Sequence, residues 1–423
     1  MVVGKFLALP GRSLARGVEP DEQRIQAGER GRKGEERVDF HLTDDQQMVV
    51  DLARRVARAR VAPRAAAIDE EGVYPEDIFQ LFKEAGLLGL AVPEEYGGMG
   101  MGTLGLVLAV EEVAKYCCAS GLILLLTRLP LAPIMLAGTE EQKQKYARGI
   151  AEGRVRGAFG LTEPDCGSDA AAIRTTAVRR GDHYVLNGTK RFISGTTVAD
   201  FFTIAAKTDP AAGSRGLSLL VVEKGTTGLS LGKQENKMGV RGVPVTEIIM
   251  EDCRVPAENL LGQENQGFKT VMHTLNSLRP VVASRGIGLA EGALQYGIDY
   301  ARERKAFGQP VIEFQGLQWM IADLAIAIEA SRLLTYRAAQ FVDEGKYTRE
   351  YAHFLSMAKT MATDTAVRVA TDALQLLGGN GYMKEYPMER FYRDAKQLQI
   401  VEGINQIQRN IIARSIIDRH LHW

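Results

Sequence analysis

Cysteine is scarce: the 423 residues hold four, Cys117, Cys118, Cys166 and Cys253. None falls in a CxxC pair or at the Cys/His spacing of a zinc site, which excludes a thiolate metal centre. Adjacent Cys117 and Cys118 are a poor disulfide pair, so a reducing, cytoplasmic setting is expected. Charge of one sign is missing too, with 52 Lys+Arg against 52 Asp+Glu. No global field draws the chain to nucleic acid or an anionic membrane, and neither is expected as a partner. No GxGxxG follows a strand pattern, so a Rossmann cofactor site has no support. The one tempting membrane segment, residues 121–138 (GLILLLTRLPLAPIMLAG), carries Arg128 near its centre and Pro130 and Pro133 beside it. It reads as a buried, kinked helix rather than a bilayer span.

What is present describes an ordinary globular chain, 45% hydrophobic and 25% charged, long enough for two or three domains. Residues 1–37 are rich in Arg, Glu and Gly, with only a short apolar patch from Phe6 to Pro10. They suit neither a secretory signal nor an acid-poor transit peptide and are expected to be a floppy extension. Residues 38–155 show helical periodicity. Thr43 and Asp44 can cap the first helix, residues 74–85 form another that Gly86 stops, and TEEQ from Thr139 to Gln142 is a capping box. From 156 to 264 the period changes to two. Residues 217–223 and 245–250 read as strands, and Asn187-Gly188 is a turn signal, suggesting a small antiparallel β domain. Helical periodicity returns over 265–423, in spans near 265–303, 315–344, 348–377 and 405–420, a four-helix bundle by default.

The chemistry centres on residues 386–414, YPMERFYRDAKQLQIVEGINQIQRNIIAR. Glu402 and Gly403 stand at a break between an apolar run and a new helix. The plain reading is a carboxylate neutralising the helix N-terminus, with Asn405 or Gln406 helping to cap it. The sharper reading is a general base, partly desolvated and so raised toward the working range. Elsewhere, FGLTEPDCGSD (159–169) is a Gly/Pro-stiffened loop after a strand, able to present N–H groups and the Thr162 hydroxyl to a polar ring edge. KRFISG (190–195) reads locally as an edge-strand aromatic. RERKAFG (302–308) is a basic helix end, and LQLLGGNGY (374–382) a helix stop of the Schellman kind.

Together these motifs, over about residues 38–420, resemble the acyl-CoA dehydrogenase family. The resemblance implies an α+β fold: an N-terminal helical domain, a middle antiparallel β domain and a C-terminal four-helix bundle. It implies FAD as cofactor, an acyl-CoA substrate, a homotetramer and electron-transfer flavoprotein as oxidant. Glu402 falls where the family keeps its base. Phe159, Leu161, Thr162, Gly167 and Ser168 match the flavin segment, with Ser168 also reaching the bound acyl-CoA. Phe192, Ile193 and Ser194 match the segment whose aromatic covers a flavin face, with serine for the usual threonine. Arg304, Phe307, Gln315, Gln375, Gly378 and Gly379 match positions that approach a neighbouring subunit's dinucleotide, and Asn405 and Gln406 complete the expected cofactor set. Asn276, Arg279, Glu402 and Gly403 fall on the substrate side, with asparagine at 276 for a usual aspartate and Ile404 for a threonine. Arg279 would hold the base ionised. Cys166 takes a place where a small residue is common, and packing is its expected role.

The implied reaction is α,β-dehydrogenation of an acyl-CoA to the trans-2-enoyl-CoA. Arg128 is unusual on the helix lining the family's acyl pocket. It suggests either a medium-chain substrate, with Arg128 in an internal ion pair or snorkelling, or a dicarboxylyl-CoA whose distal carboxylate it would bind. The alternatives are an acyl-CoA oxidase passing electrons to oxygen and a non-catalytic flavin-binding, DNA-associated protein of the same fold. A nitroalkane oxidase relative would carry aspartate as base.

Overall fold

The structure, a computed structural model, describes residues 41–418; the readings made for residues 1–37 and for a helix end at 420 lie outside them. The first helices begin where local chemistry sets them. In α1 (Asp44–Val56) the Thr43 hydroxyl accepts from Gln46 N while the Gln46 side chain accepts from Thr43 N. Short helices α2 (Ala65–Glu71) and α3 (Glu76–Glu84) follow. Next come α4 (Gly102–Ala114), α5 (Cys118–Leu125), α6 (Ala132–Ala137) and α7 (Glu140–Ala151), the last opened by the Thr139–Gln142 capping box. The apolar run at 121–138 is therefore broken into α5 and α6, since prolines at 130 and 133 suit a turn and the first turn of a helix but not a helix interior.

Seven strands then make one curled sheet: β1 (Gly157–Gly160), β2 (Thr176–Arg180), β3 (His183–Ser194), β4 (Phe201–Lys207), β5 (Leu217–Glu223), β6 (Leu229–Leu231) and β7 (Val245–Pro256). Their order is β1-β4-β2-β3-β7-β6, with β5 on β4. The pairing is antiparallel except that β1 and β2 run parallel to β4. β4 and β5 are buried on both faces: Tyr146 of α7 stacks on Phe201, centroids 4.6 Å apart, and inward residues such as Ile204 and Leu220 fill the core. That explains their uninterrupted apolar runs. The Asn187-Gly188 turn expectation is corrected. The pair lies within β3 at a bulge, because the Asn187 amide donates to Asp252 Oδ1 (3.1 Å) and accepts from Asp252 N (2.8 Å). A long-range pair outweighs the local turn signal.

The C-terminal helices are α8 (Gly267–Glu303), α9 (Gln315–Asp343), α10 (Ala352–Leu376), α11 (Met388–Leu398) and α12 (Asn405–Ile417). The third begins four residues later than its periodicity suggested, and α11 is an additional short helix. Glycines let α8 lie close on α4: a Cβ on Gly288 would stand 2.1 Å from Glu111 O, and one on Gly292 1.9 Å from Lys115 O. Asp343, at the end of α9, accepts from Thr103 N and Leu104 N, and so caps α4. No helix among the described residues is long and apolar enough to cross a membrane.

Candidate active site

Glu402 lies in the turn between α11 and α12. The turn is tied at its start by Ile400 N and Val401 N, which both donate to Gln397 O (2.9 and 3.1 Å), and closed by Asn405 N on Gln399 O (3.0 Å). Glu402 has φ 56°, a left-handed conformation that costs a non-glycine residue about 1–2 kcal/mol. Surrounding bonds hold it there: Gln408 Nε2 donates to the carbonyls of Glu402 (3.3 Å) and Gly403 (3.1 Å), and Lys359 Nζ to Gly403 O (3.0 Å). Among the described residues nothing bonds the Glu402 carboxylate, and nothing accepts from its backbone N–H. Burial pushes the carboxyl up to about 6, against the opposing pull of Lys359 and Arg285.

The helix-cap reading fails. Ile404 is the N-cap residue and makes no side-chain cap bond. Asn405 is buried, its amide spent on Lys359 (2.7 Å), Thr363 (2.9 Å) and Asp364 (2.7 Å). That also corrects its assignment to the cofactor: no donor or acceptor of Asn405 is left for one. Gln406 is exposed. The expectation for Arg279 is corrected as well. Its Nη1 turns to Ala352 O (3.1 Å) and Ser356 Oγ (2.9 Å), and the cations that act on Glu402 are Lys359 and Arg285. Neither was singled out in the sequence. The available signal was charge inside apolar helical runs, MAKTMA and VVASRGIG. Asn276 donates to Tyr347 O (2.9 Å), and Leu278 is fully buried.

On the β domain, Arg191 N donates to Thr162 O (2.8 Å), which sets the end of β3 beside the loop after β1. Thr162, Phe192 and Ser194 are thereby gathered at one sheet edge, over buried Phe159, Leu161 and Ile193. Phe192 is 59% exposed with φ 60°, an aromatic ring held out from the sheet. Beneath, Lys190 is fully buried and donates to Glu163 Oε1 (2.7 Å) and Leu161 O (3.2 Å). Glu163 also accepts from Thr175 N, Thr175 Oγ1 and Arg174 N. Burial alone would raise this carboxyl, but Lys190 and these donors bring it below its ordinary value. Burial takes the Lys190 ammonium down to about 8. The donor geometry around Glu163 argues for an intact ion pair near neutral pH. Cys166 closes a tight turn with Glu163, its thiol raised by burial, while Gly167 and Ser168 are exposed.

The remaining predicted positions stand apart. Arg304, Phe307, Gln315, Gln375, Gly378 and Gly379 are exposed at the far end of α8, Phe307 at 96%. Arg304 is about 28 Å along α8 from Arg285, at 1.5 Å per residue. Gly378 has φ 57°, and a Cβ on Gly378 or Gly379 would meet nothing within 4 Å, leaving open backbone. Arg128 lines a cavity of about 220 Å³ with Leu131, Met135, Ser277 and Tyr347. Its Nε is buried without a partner, and among the described residues no carboxylate pairs with it. The nearby Asp343 is engaged by the α4 N–H groups.

Comparison with known proteins places this arrangement. The acyl-CoA dehydrogenase N-terminal, middle and C-terminal domains match residues 43–154, 158–253 and 265–417. The chain belongs to the acyl-CoA dehydrogenase family. Its members are oxidoreductases acting on CH–CH donors. Among relatives, an acryloyl-CoA reductase (NADH) of Anaerotignum propionicum is 47% identical over 90% of this chain and 97% of its own length. A cyclohex-1-ene-1-carbonyl-CoA dehydrogenase of Geobacter metallireducens is 45% identical over 89% and 99%. Butyryl-CoA dehydrogenase from Megasphaera elsdenii superposes with a TM-score of 0.87 at 40% identity, covering 90% of this chain and 100% of that one. A chain from a structural study of the electron transferring flavoprotein of Acidaminococcus fermentans gives 0.87 at 46% identity, covering 90% and 99%.

Proposed function

We propose that this acyl-CoA dehydrogenase family member removes the α proton of a saturated acyl-CoA with Glu402, yielding the trans-2-enoyl-CoA. The observation that carries the reading is a carboxyl raised to about 6, without a hydrogen-bond partner among the described residues and held on a strained turn. A base of that value is mostly ionised at neutral pH yet basic enough to take a proton. The free N–H of Glu402 lies on the same turn, suited to polarise the thioester carbonyl in the manner of an oxyanion hole.

The residues present fit FAD: the exposed Phe192 ring offers an apolar face, and the Thr162 and Ser194 hydroxyls a polar edge. FAD, when bound, supplies the two-electron acceptor for the hydride leaving the β carbon. Phe159, Leu161 and Ile193 back that surface, and Gly167, Ser168, Asn276, Arg279 and Gly403 are assigned to the substrate on the family resemblance. Arg304, Phe307, Gln315, Gln375, Gly378 and Gly379, exposed near the end of α8 and, for Arg304, about 28 Å along it from Arg285, are assigned to a neighbouring copy's dinucleotide. The exposed apolar residues Trp319, Ile326 and Tyr382 support such a homo-oligomer, taken as a tetramer. Electron-transfer flavoprotein is the proposed oxidant, and the four free, buried cysteines suit a cytoplasmic setting.

For the substrate, the unpartnered Arg128 in its cavity favours a dicarboxylyl-CoA such as the adipyl thioester, because a buried guanidinium calls for an anion. Anaerobic titration of the oxidised flavin absorbance with butyryl-, octanoyl-, palmitoyl- and adipyl-CoA tests the reaction. Bleaching by one class supports it, and none by any thioester refutes it. Arg128→Met should lower kcat/KM for adipyl-CoA roughly 10–100-fold more than for octanoyl-CoA; an equal loss sinks the dicarboxylate reading alone.

A further inference from the structure

Two cations are buried beside the base turn without a carboxylate bonded to them. Arg285 of α8 is fully buried. Its Nη2 donates to Gln397 Oε1 (3.0 Å), Cys118 O (3.3 Å) and Cys118 Sγ (3.3 Å), and its Nε has no partner. Gln397 is the residue whose carbonyl anchors Ile400 N and Val401 N, so Arg285 braces the turn immediately before Glu402. Lys359 of α10, also fully buried, grips the other side through Gly403 O and Asn405 Oδ1. Burying two unpaired cations is unfavourable on its own, and a carboxylate sharing their pocket offsets it. Isolated structural braces need no charge; an uncharged amide would make the same bonds to carbonyl and amide oxygens.

We propose that Arg285 and Lys359 are positioning residues that clamp the turn on both sides of Glu402 and keep its carboxylate ionised. The inference depends on Glu402 acting as the base. Other charged groups share the pocket. From α8 comes Arg279, committed to Ala352 O and Ser356. From α10 comes Asp364, bonded by Arg409 of α12, Asn405 and Gln399. From α11 comes Asp394, which accepts from Val240 N (2.6 Å) and, with Arg285, acts on the Lys237 ammonium. Lys359 and Arg285 both pull the Glu402 carboxyl down, and Glu402 in turn holds up the Lys359 ammonium, which burial takes down to about 7.

The test is the pH dependence of flavin reduction in the FAD-loaded enzyme, by stopped-flow with the bleaching thioester, for Arg285→Gln, Arg285→Lys, Lys359→Met and Lys359→Arg. Neutral variants should move the acid limb of the rate up by about one pH unit, while the charged replacements restore it. KM should change less than about 3-fold, since both side chains are fully buried. Gln397→Leu cuts the brace without removing charge, and should lower the limiting rate with the acid limb in place. It keeps the proposal testable if Arg285→Gln does not fold. An acid limb unmoved in folded, flavin-loaded Arg285→Gln and Lys359→Met overturns the proposal, as does a limiting rate unchanged in Gln397→Leu. Failure of the wild type to bleach with any thioester instead removes the dehydrogenase reading itself.

Discussion

Two glutamates each lie beside a fully buried lysine, and they end on opposite sides of their ordinary value. Glu163 takes its lysine directly: Lys190 Nζ is 2.7 Å from its Oε1, two backbone N–H groups and a hydroxyl complete the set, and the carboxyl is lowered. Glu402 is denied its lysine, because Lys359 spends its protons on Gly403 O and Asn405 Oδ1, and burial, opposed only through space by Lys359 and Arg285, raises the carboxyl to about 6. The difference is where the ammonium points. A carboxylate saturated with donors is a structural anchor, and one merely near a cation keeps its lone pairs for a proton.

The largest expected effect separates the two by chemistry. Glu402→Gln should cut turnover by at least about 10²–10⁴-fold, the range for losing a general base, with flavin content unchanged. Glu163→Gln, measured per bound flavin, should stay within a few-fold of wild type. Comparable losses in both would mean that Glu402 is no more special than its structural counterpart.

Breaking the structural pair from the lysine side comes next. Lys190→Met strands Glu163 as an unpaired buried carboxylate, and such breaks cost about 3–5 kcal/mol. Urea unfolding should show that loss, with less flavin retained because the Thr162 loop rests on this pair. A loss below about 1 kcal/mol would show that the pair is dispensable. On the packing around the base, Gly292→Ala should destabilise by about 1–3 kcal/mol, since its Cβ would meet Lys115 O at 1.9 Å and force α8 from α4.

The same contrast explains what the sequence disclosed. The capping boxes at Thr43 and Thr139 and the strand Leu217–Glu223 were legible because each is decided by neighbours within a few residues. The Glu402 motif was legible as a resemblance. Asn187-Gly188 misled, because its partner Asp252 is 65 residues away and a turn signal carries no knowledge of it. Lys359 and Arg285 act on atoms 44 and 112 residues distant, through helix packing that no local spacing encodes. Asn405 matched a cofactor position by resemblance, yet that same packing turns its amide inward.

The smallest effect is the sharpest comparison, because the two glutamine variants should shift stability in opposite directions. The folded value of Glu402 is raised, so its ionised form is disfavoured in the fold; that cost is absent below about pH 4.5, grows as pH rises, and is complete above about 6. Glu402→Gln should therefore raise the Tm at pH 7.5 by about 1–3 °C, on the order of 1 kcal/mol after allowing for the residue's partial exposure, with the gain fading by pH 4.5. The folded value of Glu163 is lowered, so its stabilisation is present above the ordinary carboxyl value and is lost as pH falls through the folded one. Glu163→Gln should lower the Tm at pH 7.5, with the deficit shrinking toward acid. Melting curves of both variants at pH 7.5 and 4.5 decide it: shifts of the same sign would show that the direction of the lysine does not divide anchor from base.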